Sequence, residues 1–199
     1  LRALTYAIRA GRVFSVVPLP APAWGFSPST RRASFRAMKQ QAVVERKSER
    51  DLVVTRIVDG PAAIVFEAWT NRQFFQQWWV PKSCGLTLRS CEMDVRVGGN
   101  YRLEFQHEDA TFAVFGTYTE VAAADKGGRL VWTNDEGDGG VTVTTLSVEA
   151  CEGGSQVTVH DRYPSAEALD AAIASGSTSG LPESLDQLEE FVRSSRGGA

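Results

Sequence analysis

The sequence predicts an α+β fold in which an antiparallel sheet of about six or seven strands wraps a long C-terminal helix. Two short helices follow the first strand. Three observations carry this. Residues 86 to 161 hold only strand signals, cut at intervals by glycine turns. Two short apolar-striped segments lie between residues 62 and 79, bracketed by Pro61 and Pro81. Near the end, Leu181, Leu185, Leu188 and Val192, joined by Phe191, form one stripe at helical spacing.

The first strand is the β-rich run Leu52 to Val58, closed by the turn signal Asp59-Gly60-Pro61. Pro61 suits the first position of a helix. Ala62 to Trp69 then places Ile64, Val65, Ala68 and Trp69 on one stripe. Thr70 and Gln73 read as a capping box opening a second helix, which carries Phe74, Phe75, Trp78 and Trp79 until Pro81 ends it.

Strands then follow in sequence. Leu86 to Val97 and Asn100 to His107 alternate apolar with polar residues on either side of Gly98-Gly99. A two-residue glycine loop would mix apolar and polar partners. A three-residue loop, Gly98 to Asn100, sets Val97 against Tyr101 and Val95 against Leu103, and is the expected register. A turn centred on Asp109 and Ala110 sets His107 against Phe112, Phe105 against Val114 and Tyr101 against Tyr118. Phe112 to Val121, Leu130 to Thr133, Val141 to Ala150 and Gln156 to Asp161 complete an antiparallel meander, with turns at Lys126-Gly127-Gly128, Gly137 to Gly140 and Glu152-Gly153-Gly154. Ser165 caps a helix over Ala166 to Ala174, and Ser175 to Gly180 breaks it. Pro182 is better placed at a helix start than inside one.

Domain organisation follows from composition. Residues 1–37 hold six Arg, no acidic residue, and Pro18, Pro20, Pro22 and Pro28, so they are read as an irregular basic appendage. Three readings of it stand: upstream sequence ahead of a start at Met38, an organelle transit peptide, or a basic tail that touches anionic surfaces. Residues 38–50 are a lead-in, 51–193 the folded domain, and 194–199 a frayed tail. The net charge of -3 divides into +8 over residues 1–50 and -11 over residues 51–199. An acidic domain is a poor binder of nucleic-acid backbones. No apolar run approaches the ~20 residues that span a bilayer. Cys84, Cys91 and Cys151 form no Cys-x-x-Cys pair, which points to reduced thiols and a cytoplasmic setting, with an organelle as the alternative if residues 1–37 are a leader. At 43% hydrophobic and 10% aromatic residues, the chain can build a substantial core.

The element order is that of the helix-grip fold, a curved sheet wrapped on its last helix with a cavity between them. The residues also resemble a family. Asp59-Gly60-Pro61, Phe66 to Thr70 and Trp78-Trp79-Val80-Pro81 resemble the first-helix region of START-like (SRPBCC) proteins. The similarity is to the branch related to the C-terminal domain of the heat-shock-protein-90 ATPase activator. Met93 to Gly99 followed by Tyr101-Arg102 resembles that branch's central motif, and Gly180 to Leu188 its final helix, with Pro182 departing from the usual pattern. The resemblance covers about residues 51–192. It implies a superfamily of lipid and polyketide carriers, aromatase/cyclases, ring-oxygenase domains and chaperone activators, so it leaves function to the site.

The candidate site is one face of the sheet. Tyr101, Leu103, Phe105, His107, Phe112, Val114, Tyr118 and Trp132 would face Trp79 and, from the last helix, Leu181, Leu185 and Leu188. Such residues either fill a core or line a small-molecule pocket. Residues alone favour the filled core; the helix-grip resemblance brings the two level. His107 continues the inward parity of its strand and, with Tyr118 or Tyr101, is the weak candidate for acid–base chemistry; it would need a partner within ~3 Å. Arg102 and Glu104 lie on the opposite face. His160 alternates outward beside Asp161. No nucleophile elbow, zinc-protease motif or phosphate loop is present. Glu183, Asp186, Glu189 and Glu190 read as the solvated face of the last helix.

Three functions are therefore carried forward. The first is binding of an apolar small molecule, a lipid or an aromatic or polyketide-like metabolite. The second is a cyclase/dehydratase using the same cavity, and the third a chaperone-activator-like interaction protein. No cofactor or metal is expected. A homodimer is compatible with the sequence, which fixes no oligomeric state.

Overall fold

The computed structural model describes residues 41–135 and 140–196. The readings of residues 1–37, of the turn at 137–139 and of the last three residues fall outside them. Eight strands form one curved, unclosed antiparallel sheet in the order β1-β2-β8-β7-β6-β5-β4-β3. They are β1 Val43–Arg46, β2 Asp51–Val58, β3 Thr87–Met93, β4 Asn100–His107, β5 Ala110–Ala124, β6 Gly127–Asp135, β7 Val141–Cys151 and β8 Gly154–Arg162. The helices are α1 Ala62–Thr70, α2 Arg72–Trp78, α3 Ala166–Ser175 and α4 Gly180–Arg196. Consecutive strands from β3 to β8 are neighbours. Only β2 crosses to pair with β8, Asp51 against Arg162 through Val58 against Ser155.

Strand β1 is the one beyond the expected six or seven. It lies in the lead-in and pairs Val43 with Thr55 through Arg46 with Leu52. All four of its residues are exposed, so it shows no period-two pattern to read.

Two hairpins differ from expectation. The stretch 94–99 is a loop, not the end of a strand: Met93 pairs with Tyr101 and Cys91 with Leu103. Gly98 takes a left-handed φ of +80°, and a Cβ on Gly99 would collide with the Asp94 carbonyl oxygen. The loop is fastened to β5, because the Gly98 N–H donates to the Tyr118 carbonyl at 2.7 Å and the Tyr118 N–H to Gly99 at 2.8 Å. Backbone bonds to a third strand outweigh the extra hairpin pairs that Val95 and Val97 would have made. At the next hairpin the turn is Glu108-Asp109, with Glu108 left-handed at φ 52°. His107 thus faces Ala110, Phe105 faces Phe112 and Tyr101 faces Gly116.

The helix starts lie close to the expected caps, with one exchange of residue. Pro61 is the N-cap of α1, and α2 is capped by Asn71, whose side chain accepts from the Gln73 N–H at 2.9 Å; Thr70 instead donates back to the Phe66 carbonyl. Ser165 caps α3 as expected, accepting from Ala168 at 3.2 Å. α4 absorbs Pro182 in its first turn and runs on through Ser194 and Ser195, whose hydroxyls donate to the Phe191 carbonyl.

The main core joins the inner sheet face to α1, α2 and α4, with Val65, Leu146, Leu185, Leu188 and Val192 all 0% exposed. α4 packs on β2, α1 and α2. A smaller cluster, Leu52, Tyr163, Leu169 and Ala172, seats α3.

Candidate functional site

α4 does not close the sheet along its whole length. Between its first turns and the inner face of β4 to β8 lies a cavity of about 660 Å³. Strand alternation builds one wall: Tyr101, Leu103 and Phe105 are at most 6% exposed, while Arg102 between them is exposed. β5 adds Phe112, Val114 and Tyr118, and β6 adds Leu130 and Trp132. Trp69, Phe75 and Trp79 enter from α1 and α2, packed on one another with ring centroids 4.8 to 6.3 Å apart. The roof is the α3–α4 link, Leu181, Glu183 and Ser184, facing Val80, Pro81, Ser83 and Cys84.

Nine of the expected site residues line this cavity: Trp79, Tyr101, Leu103, Phe105, Phe112, Val114, Tyr118, Trp132 and Leu181. Three do not. Leu185 and Leu188 are fully buried in the core beneath it. His107 has the right parity but lies at the very end of β4, beyond the rim, with its ring beside Gly85.

The structure adds a polar end that was not anticipated. The Tyr101 hydroxyl lies 2.5 Å from Asn134 Oδ1 and 3.1 Å from the Thr133 carbonyl oxygen. Asn134 Nδ2 donates to Thr144 Oγ1 at 3.0 Å, and Thr144 donates to Asp161 Oδ1 at 2.6 Å. This chain crosses β4, β6, β7 and β8. A signal for it was present: the parity that turns Val157 and Val159 inward also turns Asp161 inward, as Leu146 and Val148 do for Thr144.

Tyr118 and Trp69 bring polar groups to the lining. Tyr118 is 4% exposed. Burial, with a smaller contribution from Cys91, holds its phenol above the ordinary range, so it keeps its proton. The indole N–H of Trp69, 2% exposed, has no partner among the described residues. By contrast, Trp78 satisfies its N–H on the Ala68 carbonyl at 3.1 Å. Burial likewise raises the Cys91 thiol.

The acidic face of α4 is not simply solvated. Glu183 accepts from the Ser83 N–H at 3.0 Å and from its hydroxyl, and the hydroxyl bond chiefly lowers its pKa. Ser184 donates to the Trp79 carbonyl at 2.7 Å, and Gln187 donates to the Trp78 and Val80 carbonyls at 2.6 and 2.7 Å. These bonds tie α4 to the segment that forms the opposite lip. Asp186 and Glu189 both pair with Arg56 of β2, Glu189 at 2.7 Å, and Glu189 is 3% exposed. Asp186 and Glu190, the latter 3.6 Å from Lys82, keep the expected exposure.

Among the described residues no group of three or more His, Cys, Asp or Glu could hold a metal ion, and no helix is long and apolar enough to cross a membrane. The three cysteines are unpaired. His160 bonds Asp51 at 2.8 Å on the outer face, away from the cavity.

The model of the family described as activator of Hsp90 ATPase homolog 1-like protein matches residues 59–193. Among solved structures, a Rhodobacter sphaeroides protein superposes with a TM-score of 0.69 at 22% identity, over 77% of this chain and 99% of its own. A Nitrosomonas europaea protein gives 0.66 at 21%, over 76% and 99%. An AHSA1-like protein from Aeromonas hydrophila gives 0.56 at 18%, over 73% and 93%. At these identities the likeness is one of fold. No curated protein sequence matches the chain.

Proposed function

The chain belongs to the family of activator of Hsp90 ATPase homolog 1-like proteins, and from that premise we propose that it binds an apolar small molecule in the cavity beneath α4. The cavity itself carries the reading. Its volume of about 660 Å³ falls within the roughly 300–1,000 Å³ of small-molecule sites, and its wall is largely aromatic and aliphatic. Apolar ligand surface removed from water contributes ~25 cal/mol per Å², so affinity needs no catalytic apparatus. Aromatic or polyketide-like bodies suit the ring-lined wall. Three free thiols fit work in a reducing compartment such as the cytoplasm.

The cyclase/dehydratase reading depended on His107, and that residue lies outside the lining. The chaperone-activator reading rests on the family name, and no described feature favours it over the cavity.

Native mass spectrometry of gently purified protein, followed by thermal shift against a panel of apolar compounds, tests the proposal. A retained adduct or a ligand-dependent rise in Tm is expected, since a ligand that binds only the folded state raises its stability. A protein that carries nothing and gains no stability from any member of the panel would overturn it.

A further inference from the structure

The lining of the cavity holds three carboxylates, Asp135, Asp161 and Glu183, and among the described residues no Lys, Arg or His. None of the three waits for a counter-charge. Asp161 accepts from Thr144 at 2.6 Å, Glu183 accepts from the N–H and hydroxyl of Ser83, and Asp135 and Asp161 hold further partners. An anionic head entering here would lose hydration and meet no cation. An ammonium head would also lose hydration, and would meet only carboxylates and a Tyr101 hydroxyl that are already engaged. Ring faces return part of that loss. Ions cost far more than neutral groups to move out of water, so the lining disfavours both signs of charge.

One buried polar atom of the lining lacks a partner. Among the described residues, the buried side-chain nitrogen or oxygen atoms without a hydrogen bond are Arg56 Nε and Trp69 Nε1. Arg56 pairs with Glu189 of α4 and is not in the lining, whereas Trp69 is. The rings around Trp69, those of Phe75, Trp78, Trp79 and Trp132 at centroid distances of 4.7 to 6.3 Å, offer its N–H a π face at best, a weak acceptor. An indole nitrogen can only donate, and an unmet buried donor is costly. The neighbouring Trp78 meets the same demand with the Ala68 carbonyl at 3.1 Å.

We infer that the cavity takes an uncharged aromatic ligand that carries a carbonyl oxygen, and that this oxygen accepts from the indole N–H of Trp69. The site thereby discriminates against fatty acids and against amines of equal size. This rests on the ligand-binding reading above and narrows it to a neutral acceptor.

Calorimetric titration of the full chain at neutral pH with a matched naphthyl series, differing only in an acetyl, isopropyl, carboxylate or aminomethyl substituent, tests the inference. The acetyl compound is expected to bind about tenfold or more tighter than the carboxylate and the amine. In an N–H correlation spectrum, the Trp69 indole resonance is expected downfield of its position in the isopropyl complex. Trp69→Phe should cost the acetyl compound about fivefold in affinity and leave the isopropyl compound nearly unchanged. Either charged compound binding as tightly as the acetyl one overturns the inference and leaves the proposed function standing. So does a Trp69 resonance that is the same in the acetyl and isopropyl complexes. Failure of all four to bind overturns the inference as well, and the compound panel above then decides the proposed function. The spectrum is assigned on the wild-type chain, so it decides even where Trp69→Phe does not fold.

Discussion

α4 leads two different lives along its length. From Leu185 onward it is packed solid: Leu185, Leu188 and Val192 are 0% exposed, and Glu189 is locked between Arg56 at 2.7 Å and Arg193 at 2.5 Å. Its first half spans a void, with Leu181 half-buried over the cavity and Glu183 and Ser184 bonded to the facing lip. One continuous helix thus seals the sheet at one end and roofs a chamber at the other. Stability can be concentrated where packing is dense, which frees the other end to keep space open.

Four substitutions and a titration test this division. The largest effect is expected at Arg56. Arg56→Ala would leave Glu189 buried without its partner in the sheet, and breaking a buried ion pair costs about 3–5 kcal/mol, read as a lower denaturation midpoint in urea. A loss below about 1 kcal/mol would mean that the ions do not anchor this end.

At the roof, Leu181→Ala is expected to cost less than about 1.5 kcal/mol, because the side chain is only partly buried, yet to weaken apolar ligands severalfold. A stability loss as large as at Arg56 would erase the distinction between the halves. Tyr118→Phe should change stability by no more than about 1 kcal/mol in either direction, since it removes one hydroxyl and keeps the ring that lines the cavity. A change in apolar-ligand affinity without a fall in Tm is the expected signature.

The smallest effect is electrostatic. Glu183 and Asp51 have pKa values lowered from ordinary values of 4.5 and 3.8, chiefly by the hydroxyls of Ser83 and Ser48. A lowered folded-state pKa contributes stability that is fully present above the unfolded value and is lost as pH falls through the folded one. Stability should therefore be insensitive to these groups at neutral pH and decline below about pH 4.5. Ser83→Ala should flatten part of that acid slope.

Much of this was legible in local pattern. The inward alternation of Tyr101, Leu103 and Phe105, the two short helices, the Ser165 cap and the apolar stripe of α4 all depend on neighbours in sequence, and all lie where periodicity put them. Two departures share one cause, a deciding partner distant in sequence. Val95 and Val97 had strand periodicity, but bonds from Gly98 and Gly99 to Tyr118 shaped a loop. Glu189 looked like surface because Arg56 lies 133 residues away. A clue existed even there, since Arg56 shares the inward parity of Leu52, Val54 and Val58, and an inward charge requires an opposite one. His107 had the right parity and the wrong depth, because alternation gives a face and says nothing of where a cavity ends.

The pairing of β2 with β8 has a kinetic consequence. Strands β3 to β8 can assemble from successive hairpins with short loops, whereas β2 must wait for a partner more than a hundred residues along the chain. Closing that distance is entropically costly before any contact rewards it, so β2 and the α4 end that grips it join late on the folding path. Contacts made after the rate-limiting barrier govern how quickly the native state comes apart, not how quickly it forms. Losing the Arg56 clasp accordingly shortens the lifetime of the folded molecule far more than it delays its birth.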